Sequence, residues 1–280
     1  MTVLVFTLLV FAGSAVAGLL GALTGLGGGF LLVPLLTLVF HVDLRYAIGA
    51  SLISVIATSS GAAAAYVREG YSSVRIGMFL EVATTVGAIF GAFFAARVPT
   101  RALAVLFGIV LLYSSWLSWK SRGRRDEMTI IDDPLSDRLR LSGNYPGPEG
   151  QLIPYKVANI PQGFSTMFGA GVLSGMLGIG SGAVKVLAMD QIMKIPFKVS
   201  TTTSNFMIGV TAAASAGIYL SRGYIDPGLA APVMLGVLSG SLTGARLLSR
   251  SSVAVLRYIF IVVVLVLGVE MIVNGWLGRL

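Results

Sequence analysis

Two glycine clusters interrupt long apolar stretches of this chain, and they constrain its fold more than any other feature. Residues 25–29 read GLGGG and residues 178–182 read GIGSG. Glycine inside a helix costs about 1 kcal/mol relative to alanine, so three or more glycines in five residues should break a helix. A helix broken within a bilayer is tolerated only where its backbone groups are buried in protein or line a wet cavity. We therefore expect the two clusters to form the two walls of one binding site.

The composition is that of a polytopic membrane protein. Hydrophobic residues make up 55% of the 280 residues, charged residues make up 11%, and the mean hydropathy is +0.87. Soluble domains carry about 25% charged residues, and a soluble domain with this surface would aggregate. Several apolar runs exceed the roughly 20 residues that a spanning helix needs. We expect an all-α polytopic protein in the cell (inner or plasma) membrane.

The start of the chain resembles a signal peptide, because residues 15–17 form an A-x-A pattern. The positively charged region that precedes the apolar core of a signal peptide is missing, however. The apolar run also continues directly into the first glycine cluster. We therefore interpret this segment as the first membrane helix.

The charge pattern and the rare residue types exclude several classes of function. The net charge of +8 is compatible with nucleic-acid binding, but the charges lie at helix ends and in one loop, as the positive-inside rule predicts. The chain has no cysteine and only one histidine, His41, so thiolate sites and a histidine metal cluster are excluded, and a Ser-His-Asp triad would have to use His41. No nucleotide-binding loop is present. We expect no enzyme activity, cofactor, metal or nucleic-acid partner; the expected partners are the lipid bilayer and a small anion, and a homo-oligomer is left open.

An internal repeat determines the predicted architecture. With a shift of 153, residues 18–97 align with residues 171–250 without a gap, and 16 of the 80 pairs are identical. Abundant small residues could inflate this figure, but matched tyrosines and an arginine argue otherwise. These pairs are Tyr66/Tyr219, Tyr71/Tyr224 and Arg97/Arg250. We predict a first repeat at 1–119, a hydrophilic linker at 120–157 and a second repeat at 158–280.

Each repeat is predicted to contain a glycine-broken helix pair followed by three spanning helices. The broken pairs lie at about 3–24 with 29–41 and at about 158–177 with 182–194. The three spans follow at about 45–68, 75–97 and 101–119, and at about 197–221, 227–249 and 252–275. The linker between them is expected to be partly disordered and shows no catalytic pattern.

The positive charges favour an inverted relation between the repeats. Four basic residues at 120–125 directly follow a span, which predicts a cytoplasmic linker. With inverted repeats, 14 basic residues fall on the cytoplasmic side and 5 outside, whereas parallel repeats give about 11 and 8. Two inverted-topology repeats with discontinuous helices are the usual architecture of secondary transporters, whose binding sites lie near the bilayer midplane.

The glycine clusters are the first candidates for an anion site. Helices that begin near Gly29 and Gly182 would direct unpaired backbone N–H groups and a positive dipole end inward. Close packing of helices through small residues is the alternative explanation. Lys185 follows Gly182 by three residues, and a lysine within a membrane segment is functional by default. It would contact an anion, pair with Glu81 or Asp190, or extend to the interface.

Polar residues on the following helices complete the candidate set. Hydroxyl and amide groups at Ser51, Ser204 and Asn205 suit sulfonate or sulfite oxygens, although interhelical hydrogen bonding would also explain them. Glu81 could accept a proton in a coupled cycle or pair with a cation. The predicted substrate-binding residues are Gly27, Gly28, Gly29, Ser51, Gly180, Ser181, Gly182, Lys185, Ser204 and Asn205, with Glu81 for proton coupling.

These motifs resemble those of the TauE/SafE family of sulfite-exporter-like membrane proteins. The resemblance rests on residues 25–29 followed by Val33-Pro34, and on residues 178–182 followed by Lys185-Val186 and by residues 204–209. It implies transport of sulfur-containing anions such as sulfite, sulfoacetate or other organosulfonates, often as export. Ser181 stands where a glycine is common and Leu187 stands where the first repeat has Pro34, and both departures leave the substrate open.

Three functions were compared on these observations. The favoured function is a secondary transporter, an exporter of small sulfur-containing anions that works by alternating access between the two glycine breaks. A passive anion channel could use the same site. A membrane assembly factor or enzyme-like protein is disfavoured, because the chain has no paired carboxylates, metal ligands or nucleophile–base set.

Overall fold

The computed structural model describes residues 2–24, 29–68, 72–120, 133–146, 151–248 and 253–279. This part of the chain contains eleven α-helices and one two-stranded β-hairpin, so the expected all-α class holds apart from the hairpin. The helices of the first half are α1 (Val3–Thr24), α2 (Gly29–Pro34), α3 (Leu44–Arg68), α4 (Val74–Ala95) and α5 (Thr100–Lys120). The linker holds α6 (Pro134–Arg138), β1 (Gly143–Pro146) and β2 (Leu152–Tyr155). The second half consists of α7 (Ile160–Leu177), α8 (Gly182–Leu187), α9 (Phe197–Ser221), α10 (Pro227–Leu248) and α11 (Val253–Leu277).

The two short helices end in the same unusual way. The first, α2, continues into a π-helical turn at Leu35–Val39, and α8 continues into another at Ala188–Ile192. The chain then turns at His41 (φ 53°) and at Lys194 (φ 58°), two non-glycine residues in the left-handed region. In each case the two copies of the feature lie 153 residues apart, which is the spacing of the sequence repeat. The short helices therefore have equivalent backbone paths.

The long helices of each half pack mainly against helices of the other half, an arrangement that we call exchanged packing. Helix α1 packs against α10, and its counterpart α7 packs against α4, while α3 pairs with α9 and α5 with α11. A β-carbon on Gly171 of α7 would overlap the carbonyl oxygen of Thr84, and one on Gly18 of α1 would overlap that of Val237. Thr84 and Val237 are again 153 residues apart. Neither half therefore has a complete set of helix contacts by itself.

One end of the molecule, which we call the arginine end, carries a group of arginine residues. Arg45, at the start of α3, donates to the Val98 carbonyl at 3.3 Å, and Arg222, after α9, donates to the Ala92 carbonyl at 3.0 Å. Helix α4 ends here, and α3 begins here while α9 ends here. The group comprises Arg45, Arg97, Arg101, Arg222 and Arg279, because Arg97 lies over the Phe93 ring and Arg101 packs against Gly278.

The opposite end, which we call the linker end, holds the linker hairpin and the start of α4. Arg75 of α4 donates to the Arg140 carbonyl at 2.7 Å, and the Tyr145 and Tyr155 side chains are buried with Ile76 of α4. This burial raises the pKa of Tyr155. The expectation of a partly disordered linker did not anticipate this ordered helix and hairpin; residues 121–132 and 147–150 lie outside the described part.

The outer surface is strongly apolar. The segments Val3–Gly21 and Val74–Ala95 are long and apolar enough to cross a membrane, and further helices carry shorter apolar stretches. Helix α11 exposes a row of aliphatic side chains at helical spacing, namely Val262, Leu265, Val266, Val269 and Val273. An apolar face of this extent on a soluble protein would cover a partner or aggregate. On a membrane protein it faces lipid.

Candidate substrate-binding site

The second glycine cluster breaks the helix as expected. Helix α7 stops at Gly178, and Gly178 and Gly180 both have φ of 68°, a conformation that glycine adopts at little cost. Ser181 has φ of 45°, so three of four consecutive residues are left-handed before α8 begins at Gly182. In the first cluster, Gly27 and Gly28 lie outside the described residues, and Gly29 is the first residue of α2.

The structure brings the two glycine clusters into contact through α3. The Ser51 hydroxyl donates to the carbonyl oxygen of Gly178 at 2.9 Å. A β-carbon on Gly29 would lie 3.1 Å from Ser51 Oγ and 3.4 Å from the same carbonyl oxygen. Ser51, from the first half, therefore joins the beginning of one short helix to the break before the other. This contact brings two of the predicted residues, Ser51 and Gly29, together with Gly178 of the second glycine cluster.

The second half contributes a further group of predicted residues. The Ser204 hydroxyl of α9 donates to the Gly182 carbonyl at 3.3 Å, and the Ser181 carbonyl accepts from the Lys185 backbone N–H at 3.0 Å. The Ser181 hydroxyl is fully buried and has no hydrogen-bond partner. Asn205 follows Ser204 on α9 and is only partly buried. The predicted residues of the second half thus surround the N-terminus of α8.

Lys185 is connected to Glu81 through one threonine. Its side chain is 0% exposed, and Nζ donates to Thr211 Oγ1 at 2.5 Å. Thr211 Oγ1 lies 2.7 Å from Glu81 Oε1, which also accepts from Thr85 at 3.0 Å. The second carboxylate oxygen, Glu81 Oε2, is buried without a partner. We call Lys185, Thr211 and Glu81 the buried triad.

The triad decides between alternatives that the sequence left open. The Lys185 ammonium is buried and does not extend to the interface, and Glu81 rather than Asp190 is its acidic neighbour, through Thr211. Asp190 accepts from Gln191. Sequence reasoning placed Thr211 on a polar helix face but missed its bridging position, which depends on the packing of α4 against α9.

Other polar residues singled out in the sequence have local roles. The hydroxyl groups of Ser54 and Thr58 donate to carbonyl oxygens one turn back in α3, at 2.9 and 3.0 Å. Glu270 on α11 is exposed and accepts from Asn274 of the same helix at 3.0 Å. The structure does not bring these residues into the group around the glycine breaks.

Comparison with known proteins agrees with this architecture. The family model described as sulfite exporter TauE/SafE matches residues 10–271. The probable membrane transporter protein YunE of Bacillus subtilis is 26% identical over 279 residues, with 96% of this chain and 98% of that protein covered. YdhB, a probable membrane transporter protein of the same organism, is 27% identical, with 86% and 89% covered. A probable membrane transporter protein of Methanocaldococcus jannaschii is 25% identical, with 96% of each chain covered. No solved structure matches the chain.

Proposed function

The chain belongs to the TauE/SafE family of membrane transporters, and from this premise we propose that it exports small sulfur-containing anions, such as sulfite, sulfoacetate or other organosulfonates, by alternating access. The observation that carries the proposal is the contact of Ser51 with Gly178 and Gly29 beside a fully buried lysine. Backbone amides at a helix start and an ammonium group both favour a negatively charged ligand. The predicted substrate-binding residues are retained as the proposed site.

Two inverted repeats are part of this proposal. Helix α3 begins at the arginine end, where its counterpart α9 finishes, which supports an antiparallel relation. Helix α4 begins at the linker end, whereas α10 follows Tyr224, which accepts a hydrogen bond from Arg45 at the arginine end. With the linker in the cytoplasm, the arginine end faces outward. The linker boundaries at 120 and 157 separate the two repeats.

The exchanged packing suggests which bodies move. Helix α10 packs against both α1 and α3, whereas α4, α7 and α9 contact one another, and these two bundles meet along α3 and α9. Ser51 and Gly178 lie on opposite sides of that boundary. Because Ser51, Ser181 and Lys185 are 0% exposed, substrate can reach the site only when the bundles separate. Rocking of the bundles about α3 and α9 would open the site to one side at a time.

Counterflow in proteoliposomes tests the transporter proposal. Vesicles with the purified full-length protein are loaded with unlabelled sulfite, sulfoacetate or 2-hydroxyethanesulfonate and diluted into the labelled compound. A carrier accumulates label transiently by exchange, whereas a passive channel dissipates the gradient and shows a current. Absence of exchange with all three compounds contradicts the proposed substrate class.

Paired variants test the site assignment. Lys185→Met should reduce exchange by more than tenfold, because removing one partner of a buried charge contact costs about 2–5 kcal/mol. Lys198→Met, at the exposed start of α9, should leave exchange unchanged.

Ser204→Ala should reduce exchange about threefold, since a hydrogen bond within a membrane protein contributes about 0.6 kcal/mol. Ser215→Ala is its control, because the Ser215 hydroxyl bonds only its own helix, at the Thr211 carbonyl. Unchanged exchange in both site variants would remove the assignment.

A further inference from the structure

The buried triad has no charged counterpart in the other half of the molecule. A shift of 153 residues relates Thr211 to Thr58, but it relates Lys185 to Leu32 and Glu81 to Met234. The Thr58 hydroxyl donates to carbonyl oxygens of its own helix and bridges no charges. A charged triad that occurs once within a repeated framework is not needed to build that framework. It is therefore a candidate for a specific role in the transport cycle.

The triad joins three helices of one bundle. Glu81 comes from α4, Lys185 from α8 and Thr211 from α9. The Thr211 hydroxyl has a single hydrogen and two acceptors within reach, Glu81 Oε1 at 2.7 Å and the Met207 carbonyl at 2.9 Å. It can thus donate to the ionised carboxylate or turn to the carbonyl oxygen while it still accepts from Lys185. The bridge is compatible with two protonation states of Glu81.

Charge balance in this buried site limits what can bind there. With Lys185 and Glu81 both ionised, the pair is neutral, and a buried charge without compensation is strongly unfavourable. A monoanion that binds the Lys185 ammonium would leave the site with one net negative charge. Protonation of Glu81 at Oε2, the oxygen without a partner, restores neutrality.

Few ionisable groups surround Glu81 in the described elements that pack against the triad. Helix α7 carries no ionisable side chain, and α8 carries only Lys185. Helix α9 carries Lys198 near its start and Tyr219 near its end, and α4 itself carries Arg75 near its start. The π-helical turn Ala188–Ile192, which packs against α7 and α9, adds Asp190, which accepts from Gln191. Of these two carboxylates, Glu81 is the one joined to Lys185 through Thr211.

We propose that the buried triad couples anion transport to protons, with one proton carried on Glu81 for each monoanion bound at Lys185. The proton enters from the aqueous side to which the site is open, binds Glu81 Oε2 and leaves with the anion on the other side. Thr211 keeps Lys185 and Glu81 connected. Its hydroxyl donates to Glu81 when the carboxyl group is ionised, and to the Met207 carbonyl when the carboxyl group is protonated. Transport of a monoanion is then electroneutral, and export proceeds when the outward anion gradient exceeds the inward proton gradient. This inference depends on the proposed transport function, whose own test is counterflow.

The coupling is measured with 2-hydroxyethanesulfonate, which stays a monoanion at every pH used because sulfonic acids are strong. It carries no proton of its own, so any proton that moves with it is carried by the protein. Proteoliposomes of the full-length protein hold a trapped pH indicator, and the membrane potential is clamped at zero. A pH difference of about one unit, acidic outside, should accumulate the sulfonate about tenfold inside. The indicator should report one proton per sulfonate, and a change of membrane potential should not alter the flux.

Variants separate coupling from transport. Glu81→Gln imitates the protonated carboxyl group and cannot release a proton, so it should lose accumulation driven by the pH difference, whatever its rate of sulfonate exchange. Glu270→Gln, a carboxylate change on the lipid-facing helix α11, should behave as the unmodified protein. Thr211→Val should weaken coupling while Thr211→Ser, which keeps the hydroxyl, preserves it. If Glu81→Gln does not fold, the proton-to-sulfonate ratio of the unmodified protein decides alone.

The possible failures have different meanings. Sulfonate exchange without accompanying protons, or undiminished pH-driven accumulation in Glu81→Gln, overturns the coupling and leaves the transporter proposal standing. Exchange of sulfite or sulfoacetate without exchange of 2-hydroxyethanesulfonate overturns the coupling of one proton to a monoanion and leaves the transporter proposal standing. Absence of exchange with every probe overturns the transport function and the coupling with it.

Discussion

At the scale of single residues, Ser181 combines two unfavourable features. It adopts φ of 45°, which costs a non-glycine residue about 1–2 kcal/mol, and its buried hydroxyl has no partner. The first repeat has Gly28 at the equivalent position, 153 residues earlier. A serine that is retained despite backbone strain and an unpaired hydroxyl suggests that the hydroxyl acts on a ligand.

The two features of Ser181 can be separated by substitution. Ser181→Gly removes both the strain and the hydroxyl, so we expect a free energy of unfolding about 1 kcal/mol higher, together with weaker substrate affinity. Ser181→Ala removes the unpaired hydroxyl and keeps the strain, so it should show the same loss of affinity with a smaller gain in the free energy of unfolding. Thermal unfolding in detergent and concentration-dependent counterflow measure the two effects. Equal affinity in all three proteins would show that the hydroxyl does not contact the substrate.

At the scale of helices, the interface of α4 with α7 depends on close backbone approach. Gly171 faces the Thr84 carbonyl and Gly175 faces the Ala88 carbonyl, and neither position has room for a methyl group. Gly169 of the same helix has nothing within 4 Å of where its β-carbon would lie. Small residues that let helices approach closely are typical of membrane interfaces, where van der Waals packing replaces the hydrophobic effect.

This difference between two glycines of one helix gives a matched test. Gly171→Ala should lower the thermal unfolding temperature, because overpacking costs about 1–3 kcal/mol. Gly169→Ala should leave it unchanged or raise it, since alanine favours a helix by about 1 kcal/mol. Both variants are followed by thermal unfolding in detergent. If the thermal unfolding temperature falls equally in both variants, the loss of stability does not depend on the contact between α7 and α4.

The helices were more predictable from sequence than the contacts between them. Apolar length and the glycine break placed α9 at its observed bounds and stopped α7 at Gly178, because both signals are local. The left-handed Ser181 was not predictable, since its conformation is imposed by Gly178 and Gly180 around it. Likewise the Thr211 bridge arises only when α4 and α9 pack. The hairpin was missed because each strand has four residues between prolines and turns, too few for a periodic signal.

At the scale of the whole molecule, the positive charges are separated between the two ends. All five arginines that the inverted arrangement assigned to the outside, among them Arg45 and Arg222, lie at the arginine end. Arg75 and the linker hairpin lie at the other. Two of these arginines, Arg45 and Arg222, have a structural role, because they donate to carbonyl oxygens at the end of α4 and just after it. The five arginines at this end are compatible with the positive-inside rule, because the rule requires only that the cytoplasmic side carries more basic residues than the other side.

Side-specific labelling tests this orientation directly, because the chain has no cysteine of its own. In intact cells, a membrane-impermeant maleimide should label Arg279→Cys but not Arg138→Cys, since both residues are exposed at opposite ends. In inside-out vesicles the pattern should reverse. Labelling of both positions from one side would contradict their location at opposite ends of the molecule, and the reverse pattern would contradict the predicted orientation.

The exchanged packing has a consequence for how the protein is made. Helix α1 is synthesised long before α10, its main contact, and α4 is synthesised before α7, against which it packs. The early helices therefore enter the bilayer with their glycine-lined faces against lipid chains. During synthesis the N-terminal half must be held by the insertion machinery or by transient neighbours until its later contacts arrive. A chain truncated after the linker would accordingly be a target for membrane quality control.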